Sequence, residues 1–311
     1  MATAFLTHAD CLGHLNPPGH PERAERLEAI AERLSAPEFA PLIRVEAPLG
    51  SRDDIALAHP RHYVERIAGA VPETGFVALD PDTHLSPGSF QAALRAVGAQ
   101  IRATDMVMDG KAANAFIACR PPGHHAEADR PMGFCLFGNV VIAARHALER
   151  RGLARVAIVD FDVHHGNGTQ DLVWEDGRIA FFSTHQMPLY PGTGRREERG
   201  AHGQVHNIPL PPGSNGAQLR EVAEAEILPG LDAFAPEMIF VSAGFDAHAR
   251  DPLANLEWVE ADFAWITRAV LDAADRLCQG RVVSTLEGGY DLQGLAGSVA
   301  AHVAAMMERG Q

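Results

Sequence analysis

An α/β fold, with a central and mainly parallel sheet covered by helices on both faces, follows from three features of this sequence. Short apolar runs rich in β-branched residues end abruptly in polar, Gly-rich or His-rich turns. Longer stretches with helical spacing lie between them. No repeat, charge block or low-complexity linker divides the chain. Strand alternating with helix marks a parallel sheet buried on both faces. A single domain over residues 1–311 is therefore expected.

The elements follow in order. Ser89–Met108 carries helical spacing and leads into a strand at Ala113–Cys119. A helix at Val140–Arg151 precedes strands at Arg155–Val159 and Ile179–Ser183. Gln186–Asn215 is rich in Gly and Pro and broken only by a short strand at Gln204–Leu210; a connection of that length in a compact domain is usually functional. Its charged stretch Arg195–Arg199 reads as a solvated tip. A helix at Gln218–Leu231 and a strand at Met238–Ser242 come next. Leu256–Leu277 has the clearest helical pattern, with Leu256, Val259, Phe263, Ile266 and Val270 three or four residues apart and Leu277 seven residues, two helical turns, further on. A strand at Val282–Leu286 and a helix at Leu295–Met307 complete the series.

Composition narrows the function. Of the 311 residues, 26 are Lys or Arg and 40 are Asp or Glu, a formal charge of −14, which argues against a general nucleic-acid binder. No apolar run is long enough to span a membrane, and MATAFLTHAD lacks the basic and apolar regions of a secretion signal. Cys11, Cys119, Cys135 and Cys278 are far apart, with no C-x-x-C pair, so neither a disulfide framework nor a cysteine zinc cage is indicated. A reducing cytoplasm is the expected compartment, and the sequence leaves an oligomer open.

The turns at the carboxyl ends of the strands carry the chemistry. Four strands run into Arg120–His125, Asp160–Asn167, Ala243–Asp246 and Glu287–Tyr290. Ligands of open α/β sheets bind at the carboxyl ends of strands, so His, Asp and Tyr converge on one crevice. Alternate residues of an extended segment share a face, which lets Asp162 and His164 present a carboxylate and an imidazole to one ion. Asp246 arrives from another strand end as a third ligand. Two oxygens and a nitrogen with one position open suit a catalytic Zn²⁺. The Pro121-Pro122-Gly123 lead bends the chain so that His124 and His125 both reach the site, and His serves as base and acid near pH 7. Asp160 and Asn167 are candidates to set their tautomers. Tyr290 is placed to donate to an oxyanion.

The motifs RPPGHHA (120–126), DFDVHHGNGTQ (160–170), SAGFDAHARDPL (242–253) and LEGGYDL (286–292), with GHPER (19–23) near the start, closely resemble the histone deacetylase family. They resemble in particular its class II branch and its bacterial relatives. The resemblance implies an arginase/deacetylase-type fold with one catalytic zinc held by Asp162, His164 and Asp246. It implies His125 as general base and acid, His124 as its electrostatic neighbour oriented by Asp160, and Tyr290 as the residue that polarises the acyl carbonyl. Asn167 stands where class I members have Asp. Gly133, Phe134, Tyr190 and Gly288 match substrate-contacting positions, Asp82 a rim aspartate, and Arg23 an arginine lining an internal acetate channel. One or two structural potassium ions are implied, one of them held by Asp160, main-chain oxygens of Asp162 and His164, and Ser183–Thr184.

Three other readings are weighed. A two-manganese ureohydrolase needs bridging carboxylates where Gly166 and His248 stand. A silent scaffold does not need the full set of reactive residues. An acetylpolyamine amidohydrolase shares the chemistry and differs only at the tunnel mouth. There Leu253 follows Asp251-Pro252, where a Glu would resemble the polyamine enzymes, so the expected substrate is an acyl-lysine protein or peptide before an acetylated small amine.

Overall fold

The computed structural model describes residues 1–309, and these hold ten strands and ten α-helices. The last two residues of the expected 1–311 domain lie outside the described residues. The strands are β1 (Ala4–Thr7), β2 (Ile43–Glu46), β3 (Val77–Ala78), β4 (His84–Leu85), β5 (Ala115–Ile117), β6 (Val156–Asp160), β7 (Ile179–Gln186), β8 (Val205–Leu210), β9 (Ile239–Ala243) and β10 (Val282–Leu286). Eight form one sheet in the order β2-β1-β5-β10-β9-β6-β7-β8, and every pairing in it is parallel. β3 and β4 form a separate antiparallel pair. The central strands β5, β6, β7, β9 and β10 are buried throughout, as a parallel sheet covered on both faces requires. An α/β sheet flanked by helices is thus borne out.

Boundaries differ from the sequence reading in informative places. The long helix α4 occupies Ser89–Met108 as expected. The helix α9 (Glu260–Cys278) starts at Glu260 and not at Leu256, because Val259 is extended and its N–H donates to the Asp262 carboxylate at 3.0 Å. Leu256–Val259 instead runs as an extended segment, with Trp258 bridged to His248. β7 continues to Gln186, past the expected Ser183, because β8 pairs along it as far as Leu210. The expected Gln218–Leu231 helix is a longer helical run over Gly216–Phe234, widened into a π turn at Ala223–Ile227 just before Pro229. That turn accommodates a residue with no N–H to give.

The core also holds neutral histidines. His302, 1 % exposed on α10 (Leu292–Met307), contacts Thr267 Oγ1 at 2.6 Å and Ser284 Oγ at 2.9 Å. His59 accepts the Gly138 N–H at Nε2 and donates from Nδ1 to the Ala128 carbonyl, so its tautomer is fixed. Burial drives His302 down to about 3 and His59 to about 4.

Such a histidine is protonated only when the chain unfolds. It therefore contributes stability above pH 6.5 that is lost as pH falls. Glu287 and Asp251, raised by burial to about 7, act in the opposite direction, so the effect is read by difference. His302→Gln keeps polar contacts but cannot titrate. Between pH 6 and pH 5 the parent should lose ~1.2 kcal/mol more than the variant in denaturant titrations, with a constant gap well above pH 7. Parallel curves across that range would reject the assignment.

Candidate active site and metal centre

Because the sheet is parallel, β5, β10, β9 and β6, which are neighbours in it, all deliver their carboxyl ends to one edge. Asp162 and His164 follow β6, Asp246 follows β9, and Gly288 and Tyr290 follow β10. His164 Nδ1 lies 3.2 Å from Asp162 Oδ1 and 3.1 Å from Asp246 Oδ2. The ligand atoms of these three buried side chains all fall within 4.8 Å of one another. Each carboxylate is oriented by main chain: Gly288 N–H donates to Asp162 Oδ2 at 2.8 Å, and Val163 N–H to Asp246 Oδ1 at 2.9 Å. Gly288 stands behind this cluster; a Cβ there would clash with Asp246 Oδ2.

Two buried carboxylates and one imidazole, with no Lys or Arg paired to them among the described residues, fit a divalent cation of zinc type. Without an ion, burial disfavours a charged His164, but its bonds to Asp162 and Asp246 outweigh burial and raise it to about 10. A proton on Nδ1 thus sits where the donor set faces inward.

The two adjacent histidines have opposite surroundings. His124 Nδ1 is 3.1 Å from Asp160 Oδ2, and its Nε2 is 3.7 Å from Asp162 Oδ1. Burial would depress it, but the two carboxylates hold its imidazolium well above the ordinary range. His125 Nδ1 faces the neutral Asn167 Oδ1 at 2.7 Å. Burial, then the positive charges of His124 and His164, push it well below the usual value. The ring centroids are only 4.0 Å apart, so one member stays charged and the other neutral. The turn that carries both is fixed by Glu287, whose carboxylate accepts from Gly123 N at 2.7 Å and His124 N at 3.2 Å.

A cavity of about 220 Å³ leads to this cluster, walled by Gly133, Phe134, Leu189, Tyr190, Leu253 and Tyr290, with Asp82 also on its lining. Gly133, at φ 56°, leaves no space for a side chain against His125, and Phe134 shares the left-handed conformation at φ 68°. Tyr190 is 39 % exposed and meets His125 edge-on at 5.2 Å between centroids. Burial keeps the Tyr290 phenol neutral, well above its ordinary value. Arg23 does not fit the internal position expected of it. It is exposed and lines an open cleft beside Pro252 and Tyr290. Arg26, three residues later, is fully buried, and its guanidinium lies 4.9 Å over the Tyr290 ring. Ser183 faces Asp160 across the β6–β7 ladder, and its Oγ is 3.0 Å from His185 Nδ1. Thr184 Oγ1 is buried with no hydrogen-bond partner among the described residues.

Sequence reasoning assigned no role to Glu287, Arg26, Glu127 or Leu189. Glu287 stands inside LEGGY and Glu127 two residues after His125, so an acid beside the reactive motifs was the available signal.

The family model for the histone deacetylase domain matches residues 20–306. Histone deacetylase 14, chloroplastic, of Arabidopsis thaliana is 42 % identical over 309 residues, covering 93 % of this chain and 73 % of that protein. The histone deacetylase-like amidohydrolase of Pseudomonas aeruginosa is 38 % identical over 286 residues, covering 89 % and 75 %. Among solved structures, the HDA15 HD domain superposes with a TM-score of 0.93 at 31 % identity, covering 99 % of this chain and 88 % of that one.

An ion bound by Asp162, His164 and Asp246 must displace the His164 proton. Zinc titration of the metal-free chain at pH 7, in buffers of different ionisation enthalpy, should therefore release about one proton per ion. Asp246→Ala should weaken binding by at least ~100-fold, more than loss of an outer-shell partner. Full zinc retention in that variant would remove Asp246 from the ligand set.

Proposed function

The chain belongs to the histone deacetylase family, and from that premise we propose that it is a zinc-dependent amidohydrolase that removes acyl groups, acetyl foremost, from the N6-amine of lysine in proteins or peptides. The observation that carries this reading is the pair of adjacent histidines at the cavity, His124 facing the Asp160 carboxylate and His125 the Asn167 amide, beside Asp162, His164 and Asp246. When bound, zinc supplies Lewis acidity toward the acyl oxygen and a water. A potassium ion beside it, held by Asp160 and the Ser183–Thr184 segment, is part of the proposal and is supported by the unpartnered Thr184 hydroxyl.

The side chains do the remainder. With Nδ1 bonded to Asn167, His125 keeps its Nε2 lone pair to take a proton from the attacking water, then returns that proton to the departing amine. The His124 imidazolium, anchored by Asp160, places a fixed positive charge next to the negative charge that develops. Tyr290 donates its phenolic hydrogen to the same oxyanion. The apolar and aromatic walls suit the methylene stem of an acyl-lysine, and Asp82 at the mouth suits its backbone amides. A route for the released carboxylate, expected past Arg23, would have its cation at Arg26.

One observation favours the polyamine reading. Asp80 and Asp82 lie together at the mouth, where burial and then Asp80 raise Asp82 above the usual carboxylate range. They offer charge to a second ammonium there. Leu253, on the same cavity lining, offers none, and an ammonium would lose hydration against it. Nucleic acid is not among the proposed partners. Among the described residues no helix is long and apolar enough to cross a membrane, and a cytoplasmic site of action belongs to the proposal.

Two measurements test this reading. Comparison of kcat/KM for an acetyl-lysine peptide and an acetylated polyamine should favour the peptide, and Leu253→Glu should shift preference toward the polyamine. A strong polyamine preference that Leu253→Ala leaves unaltered would overturn the lysine assignment. Tyr290→Phe should lower kcat about 10²–10³-fold with zinc content unchanged, the scale for loss of one oxyanion donor. Near-parental kcat in that variant would end the oxyanion role.

A further inference from the structure

The tautomer of His125 depends on which end of the Asn167 amide faces it. Nδ1 of His125 lies 2.7 Å from Asn167 Oδ1, and an oxygen there can only accept, so Nδ1 carries the hydrogen and Nε2 is left basic. A flipped amide would present Nδ2 instead, a donor, and would force the hydrogen onto Nε2. Asn167 cannot settle this alone, because its two ends have nearly the same shape.

The other end of the amide decides it. Asn167 Nδ2 faces Glu127 Oε1 at 2.8 Å, Met132 Sδ at 3.3 Å and the His125 carbonyl at 3.4 Å. All three are acceptors, and the carboxylate is the strongest. Turned around, the amide would set Oδ1 against a carboxylate oxygen. Glu127 is held where this matters. Its N–H donates to the Arg130 carbonyl at 3.0 Å, and the next residue, Ala128, is tied to Asp171 through its N–H at 2.8 Å. No Lys or Arg pairs with the Glu127 carboxylate among the described residues.

We propose that Glu127 is a positioning residue that orients the Asn167 amide and thereby fixes His125 in the Nδ1–H tautomer. Glu127 touches neither the tunnel nor the metal ligands and acts only through Asn167. The inference rests on the reading of His125 as the base, but its central readout does not require turnover.

The test uses the full-length, zinc-loaded chain. In ¹⁵N–¹H spectra of the imidazoles, with His125 identified by its absence in His125→Ala, the parent should show the Nδ1–H form. Glu127→Ala should convert it to a mixture or to the Nε2–H form. On an acetyl-lysine peptide, Glu127→Ala should lower kcat about 10–100-fold, the range for outer partners of a catalytic group, with KM little changed. Glu127→Gln, which can still offer an oxygen, should recover most of the loss. Asn167→Asp presents an oxygen whichever way it turns, so adding Glu127→Ala to it should cost nothing further or restore activity by relieving repulsion.

An unchanged Nδ1–H signal in Glu127→Ala would overturn the proposal, as would an equal loss of kcat in the Asn and Asp backgrounds. If the parent shows no hydrolysis but the tautomer still follows Glu127, the substrate reading fails and the positioning role stands.

Discussion

Asp160, Asp162, Asp246 and Glu287 are buried at one edge of the sheet, and no Lys or Arg side chain pairs with any of them among the described residues. Burying an anion without a counter-charge is strongly unfavourable unless hydrogen bonds and nearby cations compensate. The surrounding structure supplies both. Main-chain N–H groups of Asp162, Val163, His164, Gly288, Gly123 and His124 point at the carboxylates. This explains why the segments after β6, β5 and β10 are irregular: their amides have left the ladder to serve side chains. It also explains the glycine at 288, where the backbone must come within hydrogen-bond distance of Asp162.

The imidazoles of His124 and His164 are the positive charges nearest to the cluster. A divalent ion would complete the compensation that two imidazoles only begin, and in doing so would release the His164 proton. Affinity for the ion and strain in the ion-free chain thus have one origin. The price of the site is a set of carboxylates that the fold alone cannot make comfortable. Glu287, forced up to about 7 by burial despite its hydrogen bonds, shows how nearly that limit is reached.

Legibility in the sequence followed periodicity and burial. The central strands were readable because strands buried on both faces become continuous apolar runs, and α4 because its pattern lasts 20 residues. β2, Ile43–Glu46, was not readable: it is an edge strand with alternating exposure and two charges in four residues. The first helix, Glu25–Arg33, was hidden by its charge, five of its nine residues being Glu or Arg. The metal cluster was legible because Asp162 and His164 stand just past the carboxyl end of one apolar run and Asp246 just past another, although the chain bends after Asp160 instead of continuing as the extended strand the spacing suggested. Arg26 was not, because it and Arg23 are only three residues apart in the same charged segment, and which of the two is buried over Tyr290 is decided by how that segment packs. Nothing in the sequence signalled that Glu127 lies 2.8 Å from Asn167, since the two stand 40 positions apart and meet only in three dimensions.

The division of labour between His124 and His125 comes down to one functional group. Both rings are buried, both follow the same turn, and each has an oxygen facing Nδ1. Asp160 gives His124 a full negative charge, with Asp162 behind it, and the imidazolium is the stable form. Asn167 gives His125 the same hydrogen-bond geometry with no charge, so burial and the neighbouring cations prevail and the ring stays neutral. A neutral ring beside a charged one can accept a proton, whereas two charged rings in contact could not. An amide has one weakness that a carboxylate lacks: it has a wrong way round. The neutral base on His125 therefore requires something beyond Asn167 that distinguishes the amide's two ends, and the carboxylate of Glu127 is placed to do so.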